Sequence, residues 1–304
     1  MIETIQRQSV ISFPFLGLEL NPPASVQLFG REIYFYGIII ALGFILAMFY
    51  CAKNTKRFGL TEDDAYDLMI FLLPAVIIGA RLYYVAFSME DYLSDPMSIF
   101  AVWEGGLAIY GGIIAGVITI VCVCRYKKIP VGAMLDCATY GLLIGQIIGR
   151  WGNFMNREAF GAQTEIFCRM GLTAPDGSTI YVHPTFLYES LWNLALLIAL
   201  IIFERRGKRR YDGQCTLLYF FFYGLGRLWI EGLRTDSLYI GQSGIRVSQL
   251  LSLVLILAAG TAMFMIWKRG PEPEKLFVNQ VRLRKAGEDT GDEQVYAVSD
   301  EETR

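Results

Sequence analysis

The chain has 304 residues, of which 54% are hydrophobic and only 18% are charged, and this apolar excess is not typical of a soluble domain. The net charge of -2 gives no basic field for nucleic acid. A zinc site built on several histidines is excluded because His183 is the only one, and no two of the six cysteines form a CxxC pair. We therefore expect neither a zinc site built on several histidines nor a disulfide framework.

The apolar residues are concentrated in stretches long enough to cross a bilayer. Residues 1–32 contain prolines and mixed charge, which predicts an outer-face N-terminal lip rather than a cleaved signal peptide. Seven stretches of about 20 residues follow, and each is predicted to be a membrane-spanning helix; they lie near 33–52, 66–87, 106–124, 132–150, 186–203, 214–231 and 246–267.

The fold class predicted from this pattern is an all-α integral membrane protein, a bundle of seven transmembrane helices that occupies residues 33–267. Between spans four and five, the polar segment 151–185 is predicted to form a small extracytoplasmic head. Residues 268–304 are charged and poor in apolar groups, which predicts a disordered cytoplasmic tail.

Lysine and arginine occur in alternate connections. They follow spans one, three, five and seven, for example in RYKK at 125–128 and RRGKRR at 205–210, whereas 88–105 has none and 232–245 has only Arg234. Basic connections face the cytoplasm. The N-terminus is therefore predicted to be extracytoplasmic and the C-terminus cytoplasmic.

A dense group of polar residues ends span four, in the run GRWGNFMNREAFG. It contains Arg150, Asn153, Asn156 and Glu158, and Gly161 closes it. An ionisable residue at the edge of the bilayer is a functional candidate, and a guanidinium can hold a phosphate with two parallel hydrogen bonds. The alternative is that Arg150 reaches the interface for solvation and Glu158 neutralises it.

A second charged run, YGLGRLWIEGLR, ends span six. Arg227 and Glu231 are four residues apart and share a helix face, with Arg234 close to that face. An intrahelical ion pair that lowers the cost of insertion is one interpretation. The other is that Arg227 and Arg150 meet near the outer leaflet, where a phospholipid phosphate is the available anion.

Five further residues are candidates, each with a plainer alternative. His183 and Glu189 lie at the mouth of span five, where a histidine is more often a structural hydrogen-bonding group and Glu189 is expected to pair with a basic residue inside the bundle. The plainer alternative for Arg81 is an ion pair that serves helix packing. For Tyr36 it is an aromatic residue at the membrane interface. Tyr110 opens span three within GGLAIYGGIIAG, whose GxxxG spacing predicts close helix packing.

These residues resemble the signature of the prolipoprotein diacylglyceryl transferase family, G-R-x-G-N-F-x-N-x-E-x-x-G. The matching positions are Gly149, Arg150, Gly152, Asn153, Phe154, Asn156, Glu158 and Gly161. Four more blocks are similar in the same order, namely FYG at 35–37, GARL at 79–82, HPTFLYE at 183–189 and YGLGRLWIEGLR at 223–234. The resemblance spans about residues 10–270, and the seven-span plan is also that of the family.

The resemblance implies a bacterial inner-membrane enzyme that moves the sn-1,2-diacylglyceryl group of phosphatidylglycerol to the lipobox cysteine of a preprolipoprotein and releases glycerol-1-phosphate. It also implies that no metal and no cofactor take part. It implies lipid contact for Arg150 and an essential role for Arg227. As catalytic candidates we take Arg150, Arg227, Tyr110, Glu231 and Asn153. The candidates for phosphatidylglycerol binding are Arg150, Tyr36, Arg81, Asn156, Glu158, Gly161, His183, Glu189, Tyr223 and Arg234.

Tyr110 departs from the family pattern, because a histidine often occupies that position. A phenol is a poor base at neutral pH, so Tyr110 is expected to orient a ligand rather than accept a proton. The competing classes are a lipid transporter or flippase, an intramembrane protease, and a non-catalytic relative that only binds lipid. Charges gathered at one face argue against the transporter, and the lack of a Ser/His or paired-Asp motif within the spans argues against the protease.

Overall fold

The computed structural model describes residues 9–28, 31–93, 95–241 and 244–286. Its long helices are α1 (Phe35–Asn54), α2 (Glu62–Phe87), α3 (Ile109–Lys127), α4 (Val131–Asn156), α5 (Thr185–Arg205), α6 (Gln214–Leu233) and α7 (Val247–Arg269). Shorter helical turns lie at Pro14–Leu16, Thr55–Phe58, Met89–Tyr92, Pro96–Phe100, Val102–Glu104 and Pro273–Lys275. The predicted helical membrane protein is confirmed.

Six of the described helices are long and apolar enough to cross a membrane, namely α1 to α5 and α7. The remaining long helix, α6, has 20 residues but carries Arg227 and Glu231 within its last two turns. These charges lower the mean hydropathy of α6, so its place as a seventh span stays a prediction.

The chain forms two compact units. One comprises the described residues within 1–47, 139–209 and 214–271, and the other comprises those within 48–138, 210–213 and 272–304. The candidate residues divide between them, since Arg81 and Tyr110 lie in the second unit and the others in the first.

Small residues allow α2 and α3 to pack closely in the second unit. A Cβ on Gly112 would lie 3.2 Å from Val76, and one on Gly79 would collide with Ala115. The close packing predicted for the GxxxG segment of α3 is therefore confirmed. Lys127, at the end of α3, adds ion pairs of 2.7 Å to Asp64 and 2.5 Å to Asp67.

Sequence analysis did not predict the strands that the structure contains. Strands β1 (Val10–Phe13), β2 (Leu18–Leu20), β5 (Met170–Thr173) and β6 (Thr179–Val182) form an antiparallel sheet in the order β2-β1-β5-β6, and β3 (Ser25–Leu28) pairs with β4 (Arg31–Tyr34). The N-terminal lip and the head, which were predicted as separate segments, thus share one sheet. Strands of three or four residues give too short a pattern of alternation for the sequence to reveal them.

The head sheet has a small apolar core that includes the ends of two long helices. Ile11, Phe13, Met170, Leu172 and Val182 from the sheet cluster with Phe154 of α4 and Phe186 of α5. Phe154 and Phe186 have ring centroids 5.0 Å apart. This core fixes the C-terminal end of α4 against the N-terminal end of α5, and the candidate site lies on these two helix ends.

The described part of the C-terminal segment also differs from the prediction. Residues 277–286 are helical, and Leu276 and Val278 are buried. A Cβ on Gly59 would lie 2.8 Å from the backbone of Val278, and the Phe277 N–H donates to Asp212 Oδ2 at 2.9 Å. Two apolar side chains are therefore enough to hold this charged stretch on the second unit, so the predicted disorder is wrong there. The rest of that prediction, 287–304, lies outside the described residues.

Candidate active site

Two arginines from different helices meet at one carboxylate. Arg150 Nη2 on α4 lies 2.6 Å from Glu189 Oε1, and Arg227 Nη1 on α6 lies 2.9 Å from Glu189 Oε2. Arg227 Nη2 also lies 2.7 Å from Glu231 Oε2, one helical turn further along α6. The expected pairing of Glu189 with a basic residue is confirmed, and Arg150 and Arg227 converge as the sequence predicted.

The burial of Glu189 explains why it holds two cations. Glu189 is 3% exposed and Glu231 is 2% exposed, and a buried carboxylate is costly unless it is paired and hydrogen-bonded. The arginine side chains are less buried, with Arg150 22% and Arg227 16% exposed. Their bonds use only part of the five N–H donors of a guanidinium, so both cations keep donors for an entering anion.

The network continues from Arg150 towards the head. Arg150 Nη1 donates to Asn153 Oδ1 at 3.3 Å, and Asn153 Nδ2 donates to Glu158 Oε1 at 2.8 Å. Glu158 is exposed, whereas Asn153 is half-buried. A chain of six side chains thus runs from the exposed carboxylate to the buried one on α6: Glu158, Asn153, Arg150, Glu189, Arg227 and Glu231.

The backbone beside Glu158 is strained. Helix α4 ends at Asn156, and Arg157 and Ala159 then adopt positive φ angles of 52° and 56°. A non-glycine residue in this region costs about 1–3 kcal/mol. The two left-handed residues turn the chain so that the Glu158 side chain reaches back to Asn153, and Asn156 is left half-buried at the end of the helix.

The hydrogen bonds of Arg157 offset this strain, and they go to backbone carbonyls and to Asn21 rather than to the arginine network. It is 3% exposed and donates to the carbonyls of Ser9, Met155 and Pro22 and to the side chain of Asn21, at 2.6 to 3.0 Å. Burial lowers the pKa of Arg157. The guanidinium therefore joins the N-terminal segment to the end of α4, which holds the strained turn in place.

Gly161 lies where the head meets the end of α6. Its N–H donates to His183 O at 2.9 Å, and the next N–H, from Ala162, donates to Leu233 O at 2.7 Å. A Cβ on Gly161 would lie 2.7 Å from His183 Cβ and 2.9 Å from Leu233 O. Only glycine fits this approach, so Gly161 is a packing requirement of the site.

Arg234 has its own partner just beyond α6. Its Nε and Nη2 donate to the two carboxylate oxygens of Asp236 at 2.9 and 2.6 Å. Burial lowers the pKa of Arg234, but the bonds to Asp236 outweigh it and raise the pKa above its ordinary value. Burial likewise raises the pKa of Asp236, and the Arg234 guanidinium more than reverses this, so the pKa of Asp236 is lowered.

His183 contacts a tyrosine rather than the arginine network. Its Nδ1 lies 3.4 Å from Tyr188 Oη, and Cys168 Sγ lies 3.5 Å from the same hydroxyl. Burial lowers the pKa of His183, so the imidazole is favoured in its neutral form. This environment matches the structural interpretation of the lone histidine.

Two tyrosines border the arginine network. A Cβ on Gly152 would lie 2.7 Å from the ring of Tyr36, so the glycine allows that ring to lie against α4. Tyr223 is one turn before Arg227 on α6 and stacks on Tyr219, with ring centroids 5.3 Å apart. Both tyrosines therefore lie on helix faces that belong to the site.

The two candidates in the second unit have different surroundings. Arg81 is 6% exposed and donates to the carbonyls of Ser98, Ile99, Gly105 and Gly106, at 2.6 to 3.1 Å. Its carbonyl partners replace the packing ion pair considered above, and they make Arg81 the organiser of the loop 98–106. Tyr110 is half-buried in the first turn of α3.

Arg246, which precedes α7, was not among the residues predicted for the site. Its guanidinium donates to the backbone carbonyl of Glu231 and lies over the ring of Tyr239, 5.8 Å from the centroid. A cation at the start of a predicted span was a visible signal, but no paired charge at helical spacing drew attention to it. Arg246 satisfies a carbonyl at the end of α6 and so supports the position of Glu231.

Comparison with known proteins identifies the family of this chain. The family model of prolipoprotein diacylglyceryl transferase matches residues 23–267. Several similar proteins are named phosphatidylglycerol–prolipoprotein diacylglyceryl transferase. One from Enterococcus faecalis is 43% identical, and the match covers 85% of this chain and 94% of that protein. One from Ligilactobacillus salivarius is 42% identical, and the match covers 82% of this chain and 94% of that protein. Another, from Streptococcus suis, is 44% identical, and the match covers 81% of this chain and 92% of that protein. The chain therefore belongs to the prolipoprotein diacylglyceryl transferase family of membrane enzymes.

Proposed function

We propose that this protein transfers the sn-1,2-diacylglyceryl group of phosphatidylglycerol to the lipobox cysteine of a preprolipoprotein and releases glycerol-1-phosphate. The convergence of Arg150 and Arg227 on Glu189 carries the proposal, because it places two guanidiniums from separate helices within reach of one anion. The names of the relatives supply the substrates, phosphatidylglycerol and prolipoprotein.

The proposed reaction is a displacement at carbon. The cysteine thiol gives its proton to solvent water, and the thiolate forms an S–C bond to C3 of the diacylglyceryl group. The C–O bond to phosphate breaks, and its electron pair stays on the departing phosphate oxygen. Negative charge therefore grows on the phosphate, where preorganised cations contribute most to catalysis.

Arg150 and Arg227 are assigned to that phosphate. Their donors that face away from Glu189 hold its oxygens, and Glu189 keeps the two cations from repelling each other. A free thiol has a pKa of about 8.5, and the same cations favour its thiolate. Asn153 and Glu231 orient the two guanidiniums, one on each side of the network.

The remaining candidates are given supporting roles in the proposal. Tyr36, Asn156, Glu158 and Tyr223 border the lipid headgroup, Gly161 and His183 shape the entrance from the head, and Arg234 holds the end of α6. Arg81 acts through the loop that its guanidinium holds. Tyr110 orients a ligand.

We also propose that the protein lies in the bacterial plasma membrane with its N-terminus extracytoplasmic and its C-terminus cytoplasmic. The alternation of basic and non-basic connections supports this orientation. The head and the arginine network then face the side on which exported preprolipoproteins present their lipobox cysteine.

Purified protein tests the proposal when it is incubated with phosphatidylglycerol and a lipobox peptide. Mass spectrometry should detect diacylglyceryl-cysteine together with glycerol phosphate. Arg150→Ala should lower the rate at least about a hundredfold, while Arg269→Ala, an exposed arginine at the end of α7, should keep the wild-type rate. Full activity of Arg150→Ala would contradict the proposal, and movement of a labelled lipid without product would favour the transporter.

A further inference from the structure

A second set of polar residues lies one to two helical turns from the arginine network, towards the middle of the helices. Gln146 precedes Arg150 by four residues on α4, and Asn193 follows Glu189 by four on α5. Tyr223 and Tyr219 precede Arg227 by four and eight residues on α6. Residues four apart share a helix face, so these side chains lie on the faces that carry the site.

The contacts between the helices bring this set together. The Arg150–Glu189 ion pair sets the antiparallel register of α4 and α5, which places Gln146 and Asn193 at the same height. A 3.1 Å hydrogen bond from Ser190 Oγ to Ile147 O agrees with this register. Gln146 Nε2 donates to Tyr219 Oη at 2.8 Å, and Tyr219 stacks on Tyr223. We call Gln146, Asn193, Tyr219 and Tyr223 the amide level.

Three polar atoms of the amide level have no hydrogen-bond partner among the described residues. Asn193 is 0% exposed, yet neither its Oδ1 nor its Nδ2 makes a hydrogen bond to the described residues, and the buried Gln146 Oε1 is also unpartnered. A buried polar atom left unsatisfied costs about 1–3 kcal/mol. A buried amide that finds no partner among the described residues needs one, and a bound ligand group or an ordered water supplies it.

The chemistry of these atoms defines the ligand group. Two carboxamide oxygens accept hydrogen bonds, and one carboxamide nitrogen donates. A hydroxyl group both donates and accepts, so it satisfies both kinds of atom. The amide level holds amides and phenols but no carboxylate of its own, so an ammonium group would lose its hydration there without gaining a counter-charge.

We propose that the amide level binds the hydroxyl groups of the lipid's glycerol headgroup, and that Asn193 and Gln146 thereby select phosphatidylglycerol among phospholipids. This inference rests on the proposed function, which places the phosphate on Arg150 and Arg227. One helical turn is about 5.4 Å, close to the reach of a three-carbon glycerol from its phosphate. The headgroup hydroxyls therefore reach the amide level when the phosphate is held by the two guanidiniums.

A comparison of two lipids tests this inference on the full-length purified protein. Transfer to a lipobox peptide is measured with phosphatidylglycerol and with phosphatidylpropanol of the same acyl chains, which lacks both headgroup hydroxyls. We expect the wild type to prefer phosphatidylglycerol at least tenfold in kcat/KM. Asn193→Leu should remove most of this preference by lowering the phosphatidylglycerol rate alone.

Ser190→Ala is the matched control. Ser190 is also buried on α5, but its hydroxyl already donates to Ile147, so the control should keep the wild-type preference. If Asn193→Leu does not fold, Gln146→Leu carries the same test, because it removes the unpartnered Oε1. The thermal unfolding of each variant shows which of them are folded.

Three results separate the possible failures. No product from either lipid with the wild type would overturn the proposed function itself. Equal rates with both lipids would leave the transferase intact and overturn headgroup recognition. An equal loss of rate with both lipids in Asn193→Leu would show that the amide level binds water and supports the fold, which also overturns the inference.

Discussion

Glu189 is the residue whose replacement tests the site most directly. Glu189→Gln keeps the shape of the side chain but replaces one acceptor oxygen by an amide that donates. One guanidinium can still bond to the remaining oxygen, but the other then faces the amide N–H groups. Arg150 and Arg227 also lose the negative charge that lies between them.

The size of the effect follows from the burial of the three side chains. Removing one partner of a buried ion pair costs about 3–5 kcal/mol. Because Arg150 and Arg227 are 22% and 16% exposed, we take the lower end, about 3 kcal/mol. Each kcal/mol lost from the free energy of unfolding lowers the unfolding midpoint by about 2–4 °C, so the midpoint should fall by about 6–12 °C. A displacement of about 1 Å in a catalytic group can cost a hundredfold in rate, and we expect a loss of that order.

Thermal unfolding in detergent and the peptide transfer assay measure the two effects. Ser190→Ala is the control, because it removes one neutral hydrogen bond from the next residue on α5 and should cost only about 1 kcal/mol. A double-mutant cycle with Arg150→Met should show a coupling energy of about 1–3 kcal/mol in stability. A wild-type midpoint and rate for Glu189→Gln, together with additive effects in the cycle, would refute the shared-carboxylate argument.

Three further predictions concern other parts of the protein. Tyr110→Phe should lower the transfer rate more than tenfold at unchanged thermal stability, and an unchanged rate would reduce Tyr110 to a packing residue. Gly226→Ala should cost about 1–3 kcal/mol, because its Cβ would collide with Trp192 Nε1, and Trp192→Phe in the same chain should restore part of the unfolding midpoint. Burial lowers the pKa of His183. The contribution of His183 to stability is therefore full above the ordinary histidine pKa of about 6.5 and is lost as the pH falls through the pKa of the folded state. On acidification from neutral pH, the unfolding midpoint of His183→Asn should drop less steeply than that of the wild type, and equal slopes would contradict the assignment.

Much of the membrane-embedded part follows from the sequence because the bilayer imposes strong rules. An unpaired backbone is not tolerated in hydrocarbon, so long apolar runs must be helices, and the bounds found for α1, α5 and α7 lie close to the predicted spans. Charged residues at helical spacing were equally informative, since Arg227 and Glu231 pair as their separation of four residues indicates.

The sequence was less informative where the partners are distant. Strand β1 pairs with β5 across about 160 residues of chain, and no local pattern records such a pairing. The role of Arg157 was hidden for the same reason, because its carbonyl partners include Ser9 and Pro22. Asn193 was overlooked because a single amide barely changes the hydropathy of α5.

The order of the strands in the head has a consequence for biogenesis. Strand β1 occupies an inner position in the sheet, between β2 and β5, yet it leaves the ribosome long before β5 exists. Pairing between distant segments is slow because the intervening loop must close first. The N-terminal strands must therefore wait while the first four helices are made, and the sheet that braces α4 and α5 is completed only after residue 182 has been synthesised. Until then the nascent chain has no assembled site.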